Sequence, residues 1–420
     1  MDQYVPRLVD TVIEGYLKEL PAIMVIGPRA CGKTTTAARW ARTIIRLDSD
    51  DAAAFHTGAD AALRDRPEPV LLDEWQMTPE VLGAVKRAVD VDRRPGRYLI
   101  TGSARSDAAD RFWPGTGRVV MLRMYPLTVA EQHRLAVRPL IDRIVAGESP
   151  TGSNKNPLDL RDYLKLAVRG GFPEPALELS EPTARAWLES YADQVVLRDA
   201  RAYGEAHDAA RLQRYLEAHA INSAATPQHK TLYDAAGISR KTAIAYDALL
   251  RDLMVIDEVP AWSTNKLKRL TRNPKRYVVD SGLLAGIMRV GLEDVLASSR
   301  LTGAMIDTFT VAQLRSEAAV AQSRYRLSHL REHNGRREVD VIAEIGGGRI
   351  VAIEIKAAAG IDRSDARHLI WLRDTTGDQF TAGLVLHTGK DAFELADRIT
   401  AVPISALWGH QELNAETGPA

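Results

Sequence analysis

The stretch Pro21–Thr34, PAIMVIGPRACGKT, constrains this chain more than any other. An apolar run, Ala22–Ile26, meets a loop bounded by Gly27 and Gly32, and helix-forming residues follow from Gly32 through Ala41. Gly27 and Gly32-Lys33-Thr34 satisfy the spacing G-x-x-x-x-G-K-[ST] in full. Glycines at those positions let backbone N–H groups wrap a chain of phosphates, and the following helix adds partial positive charge at its start. Lys33 is expected to reach the β- and γ-phosphates, and the Thr34 hydroxyl to ligate Mg²⁺. The candidate nucleotide-binding set is therefore Gly27, Pro28, Arg29, Ala30, Cys31, Gly32, Lys33, Thr34 and Thr35, with ATP and Mg²⁺ as the expected cofactors.

Two further strand ends point to the same chemistry. Pro69-Val70-Leu71-Leu72-Asp73-Glu74 is an apolar run stopping on two carboxylates. Asp73 would hold Mg²⁺ and Glu74 would polarise an attacking water, unless the pair merely caps the helix over 78–89. Arg97–Ile100 ends on Thr101-Gly102-Ser103, where Thr101 or Ser103 is either a γ-phosphate sensor or a turn residue. Apolar runs near 22–26, 44–47, 69–73, 97–101 and 118–123 alternate with helical stretches, so the expected fold is a doubly wound parallel sheet. Ligands bind such sheets at the carboxyl ends of the strands. Arg118, at the start of the last of these strands, is a candidate arginine finger on that rim reaching a neighbouring subunit's nucleotide, with Arg105 and Arg111 as competitors.

A chain of 420 residues exceeds one ordinary core, so several domains are expected. Fifty-five basic residues balance 55 acidic ones, which removes bulk charge as an argument for nucleic acid and requires any basic surface to be local. The single cysteine, Cys31, excludes an internal disulfide. It is either a small filler of the loop or a thiol activated by the helix start. No apolar run reaches membrane-spanning length and Met1-Asp2-Gln3 opens no signal-peptide pattern, so a cytoplasmic protein without a membrane partner is expected.

After Pro126 the texture turns helical, with breaks at 147–157 and at Gly170-Gly171-Phe172-Pro173-Glu174-Pro175. Over 208–260 the periodicity gives a helix at 209–220, a short second at 231–236, and a third at 240–250 that Ser239 can cap. Strands at 254–260 and 277–279 enclose a basic loop, and the whole reads as a winged helix. Arg240 and Lys241 at the third helix, with Lys266, Lys268 and Arg269 in the loop, are candidate nucleic-acid contacts, though such modules also dock proteins. Arg272, Lys275 and Arg276 extend the same basic run.

In the last third, Arg349–Lys356 alternates so that Glu354 and Lys356 share the face of Ile350 and Ala352. Two charges on so apolar a strand are costly unless paired or bound to a cation. Asp340 on the preceding strand can be brought opposite, which makes the PD-(D/E)XK arrangement: Asp340 and Glu354 as Mg²⁺ ligands, Lys356 positioning water. An ordinary hairpin with a Glu–Lys pair reads the same way.

Taken together, the chain resembles bacterial and archaeal AAA-type P-loop ATPases that carry a C-terminal restriction-endonuclease-like domain of unknown function. The marks are Gly27–Thr34, Leu71–Glu74, Leu99–Ser103, Gly117-Arg118, Tyr125-Pro126-Leu127, Gly170–Glu174, Val279-Asp280-Ser281-Gly282-Leu283, Glu338–Asp340 and Ile353–Lys356. The resemblance implies nucleotide roles for Lys33, Thr34, Asp73 and Glu74, and nuclease-like roles for Asp340, Glu354 and Lys356. It departs at Asp307, where the family usually has glutamate. The expected organisation is multidomain α/β: a P-loop parallel-sheet core at 1–130, a helical lid at 131–205, a winged helix at 206–282 and a PD-(D/E)XK nuclease-like domain at 283–420. The expected function is ATP hydrolysis acting on DNA, which the last domain binds or cuts, in a ring or head-to-tail homo-oligomer. The alternative is a nucleotide-switched DNA- or protein-binding regulator, such as a toxin–antitoxin partner, whose nuclease-like domain is inactive.

Overall fold

The computed structural model describes residues 4–102, 116–150, 157–195, 209–263, 269, 272–332 and 335–409. These divide into two compact units, one of residues up to Pro126 with Leu249–Val255, the other of Leu127–Ala248 and Ile256 onward.

The first unit begins with helix α1 (Asp10–Leu17) and then alternates strand and helix: β1 (Ala22–Ile26), α2 (Lys33–Ala38), β2 (Thr43–Arg46), α3 (Ala52–Leu63), β3 (Val70–Asp73), α4 (Glu80–Val91), β4 (Tyr98–Gly102) and β5 (Val119–Arg123). The sheet is fully parallel in the order β2-β3-β4-β1-β5. Strand β1 is central and buried along its whole length, which is why it reads as an unbroken apolar run. Ile23, Met24, Val25 and Ile26 each stabilise the fold by roughly 1.5–3 kcal/mol through burial. On α4, Val81, Leu82, Val85 and Val89 recur at helical spacing and form the buried stripe packed into the same core. Because the strands are all parallel and β3, β4 and β1 are neighbours, the turns after β1, β3 and β4 gather on one rim. Helix α2 is shorter than its sequence implies. It stops at Ala38 and tightens into i→i+3 turns through Ala41. The β-branched run Thr34-Thr35-Thr36 favours a helix weakly.

The second unit opens with short helices α5 (Val129–Gln132) and α6 (Leu140–Val145), followed by α7 (Leu160–Arg169), α8 (Pro173–Leu177) and α9 (Glu181–Gln194). Next come α10 (Ala209–Ile221), α11 (His229–Ala236) and α12 (Arg240–Asp252), and the antiparallel pair β6 (Ile256–Val259) and β7 (Lys275–Val278). Helices α13 (Ser281–Met288), α14 (Leu292–Leu296) and α15 (Ser299–Ala318) lead into β8 (Arg326–Glu332), β9 (Arg337–Glu344), β10 (Ile350–Lys356), α16 (Arg367–Thr376), β11 (Phe380–His387), β12 (Phe393–Ala396) and β13 (Ile399–Pro403). These last six strands form one mixed sheet, ordered β12-β13-β11-β10-β9-β8. Helix α16 covers one face through Leu369 and Leu372, against Ile350, Ala352 and Val385. Strands β12 and β13 have no counterpart in the sequence reading, being short and split by Asp397-Arg398.

A helical group confined to 131–205 does not describe this unit, because α13 returns to it from beyond β7. Asp280 caps α13 by accepting from Leu283 N–H at 2.9 Å and also accepts from Gly171 N–H at 2.8 Å. A Cβ on Gly170 would lie 2.8 Å from the Gly282 Cα, and one on Gly286 would lie 2.8 Å from the Leu188 backbone. Two motifs 109 residues apart, Gly170-Gly171 and Asp280–Gly282, thus meet backbone to backbone. The expected boundary at 282/283 falls inside this packed group.

Candidate functional site

In the first unit the turn after β1 is held open by its own geometry. Gly32 has φ 95°, a left-handed value that suits glycine, and a side chain on Gly27 would collide with the Met124 carbonyl oxygen. Cys31 is fully buried with Sγ 3.8 Å from that same carbonyl, so it fills the underside of the loop. Arg7 braces the loop from outside the motif: its guanidinium donates to Cys31 O at 2.8 Å and to Tyr125 O at 2.7 Å. Nothing in the spacing around Arg7 marks it, because its partners are backbone carbonyls.

Lys33 is buried, its Nζ donating to Gly27 O at 3.1 Å and Pro28 O at 2.8 Å inside the loop. The Thr34 hydroxyl donates to Asp73 Oδ1 at 2.8 Å, and the Thr101 hydroxyl donates to the same oxygen at 2.5 Å. The ends of β3 and β4 and the start of α2 are therefore tied at one carboxylate. Thr101 is fully buried in that bond rather than serving as a surface turn residue. Ser103 lies outside the described residues, as do Arg105 and Arg111. Glu74 follows Asp73 with φ 55° and ψ 47°, a left-handed conformation that costs a non-glycine residue about 1–2 kcal/mol. Its carboxylate accepts from Gln76 Nε2. The hydroxyl and carboxylate oxygens of Thr34 and Asp73 suit Mg²⁺, which takes one or two protein carboxylates beside phosphate and water.

Arg118 is not on this rim. Val119, its neighbour, pairs with Ala22 at the beginning of β1, whereas the phosphate-loop turn leaves the other end of that strand. Its Nε donates to Asp90 at 2.8 Å. The expected role toward a neighbouring subunit's nucleotide therefore starts from the opposite end of the strand from this chain's own loop.

In the second unit the strand register brings Glu354 and Lys356 to one face as expected, 3.4 Å apart. The carboxyl of Glu354 is buried and Oε1 has no hydrogen-bond partner among the described residues. His368 lies 3.7 Å away, too far for a hydrogen bond, and donates instead to Glu338 O at 2.7 Å. Burial, aided by the charge of Asp340, pushes Glu354 up to about 7. Asp340 is occupied otherwise: Oδ1 accepts from Lys275 Nζ at 2.9 Å and Oδ2 from Ile355 N–H at 2.9 Å. Asp307, on α15, takes Lys275 Nζ at 2.6 Å on Oδ2 and the Tyr277 hydroxyl at 2.9 Å on Oδ1. An ammonium between the two aspartates does not fit a divalent cation at the same oxygens. Among the described residues no three His, Cys, Asp or Glu side chains are grouped to hold a metal ion. The strand register sets Asp340 across from Glu354, one step beyond the Val341–Ile353 pair, while Lys275 occupies Asp340 Oδ1.

The basic run before β7 is likewise spent inside the protein. Arg269 donates to Glu344 at 2.7 Å and lies over the Trp262 ring; Arg272 pairs with Glu332 at 3.1 Å. Arg269 is thus not a free contact for phosphate, while Lys266 and Lys268 fall outside the described residues. Lys275 and Arg276 alternate to opposite faces of β7, as period two requires. Arg276 joins Asp247 at 3.2 Å, and His219 at 3.0 Å and Tyr215 at 2.9 Å converge on the same carboxylate oxygen. Burial alone would raise Asp247, but His219 and Arg276 hold it well below the usual carboxylate range. Arg240 and Lys241 remain exposed at the start of α12, which Ser239 caps through Thr242 N–H at 3.1 Å.

Residues 19–133 match a family model described as an AAA domain. Residues 160–294 and 302–407 match models described as domains of unknown function, DUF8612 and DUF4143. Uncharacterized proteins Rv2008c of Mycobacterium tuberculosis and Mb2031c of Mycobacterium bovis are each 26% identical over 408 residues, spanning 93% of this chain and 82% of theirs. The Walker-type ATPase PABY2304 of Pyrococcus abyssi covers 67% of this chain and 94% of its own at 13% identity, with a TM-score of 0.42. RuvB of Thermotoga maritima covers 63% and 94% at 14% identity, with a TM-score of 0.29. The first unit is thus an AAA-type, P-loop ATPase-like core, and the chain adds a C-terminal mixed-sheet region to it. Among the described residues no helix is long and apolar enough to cross a membrane.

Proposed function

We propose that this chain binds and hydrolyses Mg²⁺-ATP and couples turnover to an action on DNA. The observation that carries the reading is the single carboxylate oxygen of Asp73 shared by Thr34 and Thr101, beside a buried Lys33. Mg²⁺ bound there would neutralise charge on the β- and γ-phosphates. Lys33 grips those phosphates, Thr34 and Asp73 hold the metal shell, Thr101 reads the γ-phosphate through Asp73, and Glu74 orients the water. Arg118 acts on a neighbouring subunit's nucleotide in a head-to-tail assembly, and leaves Asp90 to do so.

The region 209–278 is read as a winged helix, with Arg240 and Lys241 contacting duplex phosphate or base edges. The mixed sheet of 302–407 is read as a nuclease-like fold that grips DNA rather than cutting it. What favours gripping is the ammonium of Lys275 between Asp307 and Asp340.

The test is ATPase turnover with and without duplex, forked and junction DNA. Glu74→Gln should retain ATP binding while turnover falls about a hundredfold or more. Parental turnover in that variant would remove Glu74 from the mechanism. DNA should stimulate the parent, with stimulation weakened by salt and by Arg240→Ala/Lys241→Ala. A rate indifferent to every DNA tested would favour remodelling of a protein partner instead.

A further inference from the structure

The oxygens of Asp307 and Asp340 are all engaged: a hydroxyl, an ammonium twice and a backbone N–H take one each. The ammonium belongs to a residue 2% exposed to solvent, so bulk water and its ions do not compete for it. Its three anchoring elements come from distant parts of the chain: β7 supplies Lys275, α15 supplies Asp307 and β9 supplies Asp340. Two carboxylates from separate elements lie 2.6 and 2.9 Å from this one nitrogen, the close pairing that a buried charge requires. Glu354, the next acid along, gains no share of that charge, and its buried Oε1 has no hydrogen-bond partner among the described residues.

We infer that Lys275 is a built-in counter-ion standing where a divalent metal would sit, so that Asp307, Asp340 and Glu354 hold no catalytic metal and the acids instead fasten β7 to α15 and β9. A metal ion and an ammonium within 3 Å of the same oxygens exclude one another, by charge and by volume. The arrangement replaces an exchangeable cation by a covalently tethered one. What it provides is fixed geometry between the two-stranded element and the mixed sheet, not Lewis-acid chemistry. The inference rests on the nuclease-like reading only in naming metal as the rival occupant; ATP turnover by the first unit is untouched by its failure.

The test uses the full chain carrying Asp73→Asn, which silences the phosphate-loop site, with Mn²⁺ as the probe and its free-ion paramagnetic resonance signal as the readout. Adding Asp340→Asn should change the amount of bound Mn²⁺ by nothing. One Mn²⁺ per chain, lost on adding Asp340→Asn, would overturn the inference. A second measurement compares thermal unfolding of Lys275→Met with that of Lys275→Met/Asp307→Asn/Asp340→Asn. Removing the cation alone strands two buried carboxylates, whereas the triple variant leaves no charge to strand, so the triple variant should melt higher. A triple variant that melts at or below the single one would overturn it equally.

Discussion

Two clusters of carboxylates in this chain use the same residue type to opposite ends. Asp73 is held by two hydroxyls, each able to rotate and accept as readily as it donates. Asp340 is held by an ammonium and a backbone N–H, neither of which can accept. A cation arriving at Asp73 displaces weak neutral partners that can themselves become ligands. One arriving at Asp340 meets a positive charge already in place. Whether a buried acid is a binding site depends on what its neighbours can give up.

The largest effect expected from this contrast is at Lys33. Lys33→Ala should reduce turnover about a thousandfold or more, because its ammonium stabilises charge that grows on the transferred phosphoryl group. A steady-state phosphate-release assay checks it, and near-parental turnover would break the comparison at its first member.

A third buried acid sharpens the comparison. Glu317 on α15 accepts from Leu140 N–H at 2.9 Å, and burial, only partly offset by that bond and the charge of Arg143, pushes it up to about 8 from an ordinary 4.5. Between those values the unfolded chain has released its proton and the folded chain has not. Stability is therefore full below the window and falls as pH rises through it. Glu317→Gln should be about 2–4 kcal/mol more stable than the parent near pH 9 and nearly equal to it near pH 5, by urea unfolding. Parallel pH profiles would mean that Glu317 is ionised in the folded chain.

The smallest effect is at Thr101. Thr101→Val removes one of the two hydroxyls on Asp73 while keeping shape, so turnover should drop about tenfold, in line with about 1.5–3 kcal/mol for a hydrogen bond to a charged group. Unchanged turnover would show that Thr34 alone positions Asp73.

The first cluster was legible in sequence because its parts lie at strand ends whose order follows from alternation, and because the loop's glycines are dictated locally. The second was half legible. Period two placed Glu354 with Lys356, and the run Val339–Ala343 marked β9. What could not be read was Lys275. It stood in a basic run that resembled a solvent-facing wing, and its partners are 32 and 65 residues further along. Arg7 escaped for a related reason, since carbonyl partners leave no trace in side-chain pattern. At 282/283 the sequence offered no sign that the flanking segments meet by close backbone packing, Gly170 against Gly282 and Gly286 against Leu188.

The alternation of Lys275 and Arg276 along β7 has a practical cost for anyone dissecting the protein. Each side chain finds its acids in a different stretch of chain, one before residue 259 and one after residue 306. Severing the polypeptide near residue 300, where the two matched models of unknown function part company, would orphan a buried ammonium in one fragment and two buried acids in the other. Neither piece should be soluble alone; mixed during refolding, they should rescue one another.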